Sequence, residues 1–285
     1  MDDQELAQMS DREYSSFIKE QGYVYGTFFK YREFDAVDSE RRAQLFDLLA
    51  NRSMWFAKPA TLNDPFECYP TLSFGNPEDA RPLLKKAVED RVDAQNASGV
   101  DVEAEVDRLM RVGDNPTIEQ QRFYDHLSSN IGIFSMSRRW DLSTQWAYYG
   151  GNGTGLCLGY DVKPRGSFDQ VFDVTYTTER PTLNWPKMIA SRQGEREPLF
   201  ESVLTKSPEW AHEAEVRALS AEPGLNQHPP GMLVRAIVGH KATDESISWL
   251  IDTVSSLSEK PSMIERLELL DGRFGYKTSV LHSFD

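Results

Sequence analysis

Cysteine is scarce in this chain. Its 285 residues hold two, Cys68 and Cys157, each in apolar surroundings and without metal-ligand spacing. That excludes a disulfide framework and leaves two thiols that read as buried in a reducing compartment. Long apolar runs are missing as well, and none approaches the ~20 residues that a membrane helix needs. The opening Met1-Asp2-Asp3-Gln4-Glu5 lacks the positive region and the apolar stretch of a secretory signal. These absences give the expectation of a cytoplasmic protein with no membrane partner. Basic runs are short, none exceeding Arg138-Arg139 or Lys85-Lys86, and the net charge is -14. So acidic a surface repels phosphate backbones, which makes nucleic acid a poor partner. The five histidines, His126, His212, His228, His240 and His282, form no local ligand pattern, so no metal is expected. With neither an internal repeat nor a low-complexity linker, the economical expectation is one domain spanning 1–285.

What is present suits a soluble globular protein: charged residues make up 27% and hydrophobic ones 39%. Ser10 and Glu13 form a capping box ahead of a short helix. A strand follows between Tyr23 and Glu33, then a helix over Ser39 to Asn51 that buries Leu45, Leu48 and Leu49, and a short strand at Met54 to Ala57. Leu62-Asn63-Asp64-Pro65-Phe66-Glu67 is a rigid turn, because a residue before proline avoids the helical region and Asn and Asp side chains bond back to their own backbone. From about 76 to 130 charge rises and apolar residues recur at helical spacing, which predicts an insertion of two or three helices broken at Ser98-Gly99 and near Asn115-Pro116. Ile131 to Ser137 alternates, setting Phe134 and Met136 against Ser135 and Ser137. An aromatic helix or turn (Trp140 to Tyr149) and a glycine-rich turn (Gly150 to Gly155) lead into a strand. Another strand lies at Val171 to Tyr176 and a helix at Lys187 to Leu204. Later come a strand at Leu233 to Val238, a helix capped by Thr243, and two strands joined at Asp271-Gly272. Strands paired through hairpins, with helices grouped rather than alternating, define an α+β fold with a mainly antiparallel core.

The richest stretch is Ser207 to Ala218. Taken as a strand from His212, it places Ala214, Val216 and Ala218 on one face, and Glu213, Glu215 and Arg217 on the other. Two carboxylates and a guanidinium sharing a surface can form an acid–base or charge-stabilising site. The same pattern suits an ordinary solvated strand edge, in which Arg217 only neutralises Glu215. His212, on the apolar face, reads as a buried and hydrogen-bonded histidine, and Trp146, Tyr148 and Tyr149 read as core.

Three polar segments then stand out: Tyr31-Arg32, Phe134-Ser135-Met136-Ser137, and Glu213-Ala214-Glu215. A guanidinium can hold a phosphate, hydroxyls can orient a ribose, and a carboxylate can offset positive charge growing on a sugar carbon. In that order the segments resemble the arginine, serine and glutamate motifs of the ADP-ribosyltransferase superfamily. The resemblance implies a split antiparallel sheet, NAD as cosubstrate and transfer of ADP-ribose to an acceptor such as a protein. Arg32 would then hold a phosphate, Ser135 brace the site, Glu215 be catalytic and Glu213 address the acceptor. Tyr31, Ser137, Asn63, Asp64 and Arg217 complete the candidate nucleotide-binding set. A second resemblance covers more of the chain. Lys30-Tyr31-Arg32, Trp55-Phe56, Leu62 to Glu67, Phe134-Ser135, Trp146 to Tyr149, Gly155 to Tyr160, Lys206, and Trp210 with Glu213, Glu215 and Arg217 resemble the bacterial domain-of-unknown-function family 2971. Beside the transferase stand two other expectations, a non-catalytic nucleotide-binding or regulatory module, and a nucleotide or phosphodiester hydrolase.

Overall fold

Local chemistry sets the element boundaries. Ser10 N donates to the Glu13 carboxylate at 2.9 Å and Glu13 N donates to Ser10 Oγ at 3.3 Å, so the capping box opens the first helix as predicted. Asp38 caps the second helix by accepting from Glu40 N and Arg41 N, and Thr243 caps a later one by accepting from Ser246 N. Asp64 Oδ1 accepts from Phe66 N at 2.9 Å, which makes the Asn-Asp-Pro turn the rigid one expected.

The computed structural model describes residues 9–95, 99–164, 166, 168, 170–190 and 196–284. Part of the expected break at Ser98-Gly99, and residues 191–195 of the helix expected over Lys187 to Leu204, lie outside them. In chain order the elements are α1 (Asp11–Glu20), β1 (Gly26–Arg32), α2 (Ser39–Ala50), β2 (Ser53–Phe56), β3 (Thr71–Ser73), α3 (Pro77–Gln95), α4 (Val102–Met110), α5 (Pro116–Asn130), β4 (Gly132–Ser137), α6 (Ser143–Tyr148), β5 (Leu156–Val162), β6 (Val171–Asp173), β7 (Thr175–Tyr176), β8 (Thr182–Asn184), α7 (Trp185–Ala190), α8 (Arg196–Leu204), β9 (Thr205–Lys206), β10 (Glu215–Ser220), β11 (Gly224–Gln227), β12 (Leu233–Val238), α9 (Asp244–Ser256), β13 (Met263–Leu269) and β14 (Tyr276–Ser283).

Where the sequence suggested one domain with an insertion, contacts gather into two compact units. The first comprises Met1–Ala57, Gly132–Val174 and Glu209–Asp285, and the second Lys58–Ile131 and Thr175–Pro208. The second unit takes in more than the helical stretch because Leu183 and Trp185 join Leu72, Leu84, Val88, Val106 and Leu109 in one apolar cluster. Such packing across about a hundred residues leaves no trace in local periodicity.

Among the described residues of the first unit, eight strands hydrogen-bond in the order β14-β13-β12-β5-β1-β4-β10-β6. Every named pairing is antiparallel except β12 with β13, which α9 separates in the chain. The protein is thus α+β, with a mainly antiparallel sheet. One sheet face carries Phe28, Phe134, Met136, Leu158, Tyr160, Val216 and Ala218, packed with Leu45, Leu48 and Leu49 of α2 and Ile247, Leu250 and Val254 of α9. Phe29, Tyr31, Cys157, Ile237 and Leu267 share a second cluster with Trp146 of α6. Burial holds the Cys157 thiol well above its ordinary pKa and pushes the Tyr160 phenol up to about 12, so neither is reactive at neutral pH.

His228 is also buried. Its Nδ1 lies 2.9 Å from Pro229 O, and its Nε2 has no hydrogen-bond partner among the described residues. Burial, the largest influence, holds its pKa below the ordinary value. The unfolded chain therefore takes up the proton first. Stability contributed by the neutral ring is complete above about pH 6.5 and declines as the pH falls below that value toward the folded pKa. Urea midpoints measured across this range will fall toward acid, and the His228→Gln variant will show a shallower decline.

Candidate functional site

The Ser207–Ala218 stretch is not a continuous strand. Pro208 to Glu213 form a 3₁₀ turn, Ala214 has φ of +47°, and the strand begins at Glu215. Proline, with its fixed φ and missing donor, favours the start of a helical turn, and this outweighs the period-two pattern read from His212 onward. His212 is accordingly exposed, with Nδ1 2.9 Å from Glu209 O, and does not join the apolar face of Val216. An alanine in the left-handed region costs on the order of 1–2 kcal/mol. Three hydrogen bonds hold the peptide there: Arg138 N donates to Ala214 O at 2.9 Å, Ala214 N to Ala211 O at 3.2 Å, and Ser137 Oγ to Glu213 O at 2.7 Å.

That kink sits between the two glutamates and sets them apart. Glu213 is 4% exposed, and its Oε1 accepts from Tyr149 OH at 2.9 Å. Glu215 and Arg217 follow strand periodicity on one face. Arg217 Nε and Nη2 reach Glu215 Oε1 and Oε2 at 2.8 and 3.1 Å. Arg217 has no exposure at all. β10 lies between β4 and β6, so the alternative of a solvated strand edge does not apply. Ser137 stands directly across from Glu215, and Ser135 across from Arg217. The hydroxyl of Ser137 is engaged with the kink, and Ser135 contributes its carbonyl to Lys30 Nζ at 2.7 Å.

The register of β1 separates the expected pair Tyr31-Arg32. Phe29 stands across from Ser137, which puts Phe29 and Tyr31 on the face of Glu215. The Tyr31 hydroxyl donates to Arg139 O at 2.8 Å and accepts from Leu142 N at 3.3 Å, and burial raises its pKa. It fastens a turn, and the nucleotide-binding part expected of it gives way to that. The β1–β5 pairing runs without interruption from Gly26 to Arg32, so Arg32 leaves the sheet with Phe28 and Lys30 on the opposite face from Glu215. This corrects the expectation that an arginine, a serine hydroxyl and the paired acid converge. Consecutive strand residues cannot face the same way, and Tyr31 already occupies that side.

Asn63 and Asp64 belong to the second unit. Asn63 is exposed, whereas Asp64 is 5% exposed and lines a cleft of about 310 Å³ with Glu67, Arg180, Thr205 and Lys206 among others. Lys206 and Glu67 are both buried, with Nζ 3.7 Å from Oε1. Neither was among the candidate site residues, although both stood in the motifs of the domain-of-unknown-function resemblance. Tyr149 was assigned to the core from its aromatic surroundings. Its ring does pack against the second apolar cluster, and its hydroxyl also reaches Glu213, because α6 ends at Tyr148 and Tyr149 N closes the turn on Gln145 O.

The class these observations define is an α+β protein with buried, internally paired acidic residues at a strand start. A family model described as "Protein of unknown function (DUF2971)" matches residues 145–218. The matched stretch holds Tyr149, Lys206, Glu213, Glu215 and Arg217, and the resemblance to that family stands on it. No curated protein and no solved structure gave a significant match.

Proposed function

We propose that the first unit is a non-catalytic, nucleotide-binding regulatory module built around Glu213 and Tyr149. The observation that carries this reading is the buried two-point bond between Arg217 and Glu215. A carboxylate so engaged has its charge offset already, and is poorly placed to stabilise a developing oxocarbenium ion. Glu213 suits recognition instead. A carboxylate accepts hydrogen bonds from ribose hydroxyls, and the ring of Tyr148, 61% exposed and edge-on to Tyr149 at 6.3 Å, offers a face to a base. Arg139 supplies a guanidinium for phosphate: its two-point bond to Asp141 lies at the surface, where solvent screens it and a phosphate can compete for the guanidinium.

ADP-ribose and NAD will each raise the melting temperature, because a ligand that binds the native state stabilises it, by about 2.7 kcal/mol at a hundredfold excess over Kd. The Glu213→Gln variant will bind at least tenfold more weakly, consistent with the ~1.5–3 kcal/mol of a hydrogen bond to a charged group. No shift with either ligand defeats the reading. Transfer of ADP-ribose, with NAD as cosubstrate and a protein as acceptor, is the second reading. The left-handed Ala214 between the glutamates favours it, since backbone strain gathers at active sites. Nicotinamide release accompanied by ADP-ribose appearing on a protein acceptor, both lost in Glu215→Gln, would establish transfer and overturn the regulatory module.

A further inference from the structure

We infer that the cleft of the second unit binds a small organic cation, a primary amine or a guanidinium, through Asp64. The site is distinct from that proposed for nucleotide and rests on none of the same residues. The cations lining the cleft each have an anchor within the unit. Arg180 lies 5.8 Å from the Tyr69 ring centre and donates from Nη1 to Tyr69 O at 3.4 Å, while Lys206 stands beside Glu67. The acids are not balanced in the same way. Asp64 is 95% buried, its Oδ1 takes the Phe66 amide, and its Oδ2 has no hydrogen-bond partner among the described residues. Native proteins satisfy nearly all buried polar atoms, and a charged oxygen left without a donor is costly. A ligand N–H would remove that cost.

Three features fix the sign of the ligand. Glu179, a second acid of the lining, is exposed at the cleft. Phe66, 64% exposed, belongs to the same lining, and the face of an aromatic ring attracts a cation. The net charge of -14 concentrates cations around the whole molecule and repels anions. A volume of about 310 Å³ stands at the lower end of small-molecule sites, which suits an alkylamine or alkylguanidinium.

Calorimetric titration of the full chain with butylguanidinium, and with butylurea as its uncharged counterpart, tests the proposal. Butylguanidinium will bind with one-to-one stoichiometry and butylurea will not. The Asp64→Asn variant keeps the Oδ1 acceptor of the turn while losing the charge, and will bind butylguanidinium at least tenfold more weakly. Should Asp64→Asn fail to fold, Phe66→Ala decides, because its exposed ring can be removed safely: a severalfold loss of affinity supports the site and an unchanged affinity overturns it. Absence of butylguanidinium binding, equal binding of butylurea, or an unchanged affinity in a folded Asp64→Asn variant also overturns the proposal. None of these outcomes bears on ADP-ribose binding at Glu213.

Discussion

Replacing Arg217 by methionine will destabilise the protein by about 3–5 kcal/mol, a large share of the ~5–15 kcal/mol that holds a domain together. Arg217 has no exposure, and Glu215 beside it is 5% exposed. Removing the guanidinium takes the two-point partner from a carboxylate that is 5% exposed on β10, the strand between β4 and β6. The penalty is that of a buried charge deprived of its guanidinium and exceeds the net worth of the pair itself. The double variant Arg217→Met, Glu215→Leu will therefore recover most of the loss, since two apolar side chains leave no charge to solvate. Urea denaturation of the two single variants and the double variant measures this. A single variant within about 1 kcal/mol of the parent would show that the charge is solvated and the two-point bond marginal.

The second large effect is expected at Trp146. Its ring is 1% exposed, lies edge-on to Tyr31 at 5.2 Å, and donates Nε1–H to Trp140 O at 2.8 Å. Gly150 packs so closely on it that a Cβ there would come within 2.6 Å of the indole. Trp146→Ala removes this packing and leaves a cavity, at a cost of about 3–5 kcal/mol. Trp146→Phe keeps the edge-to-face contact and will retain more than half of that stability, losing mainly the hydrogen bond to Trp140. The comparison, read from urea midpoints, separates packing from hydrogen bonding. Equal losses in the two variants would place the whole effect in the Nε1 bond.

How far the candidate site could be read from sequence differs residue by residue. The alternation in β4 was legible: Phe134 and Met136 lie in the main core, and Ser135 and Ser137 face the side of Glu215 and Arg217. So was the Asp64 turn, because its hydrogen bond runs two residues along the chain. The part expected of Arg32 was not legible. Knowing that Arg32 ends a strand says nothing of the neighbouring register, and the register decides which face it takes. Ala214 was unreadable for another reason. Its left-handed backbone depends on Arg138 N and Ser137 Oγ, about 76 residues away, and alanine carries no local preference for that conformation.

By itself, then, the sequence determined the α+β class, the helix caps, the turn at Asp64 and the apolar faces. Each follows from steric and hydrogen-bond preferences acting over a few residues, which persist whatever surrounds them. Only the tertiary structure decided that contacts divide between two compact units, that Tyr149 meets Glu213, that Arg217 is consumed by Glu215, and that Arg32 turns away from both acids. Those outcomes depend on strand register and on packing between distant segments, where one residue of slip reverses every side chain.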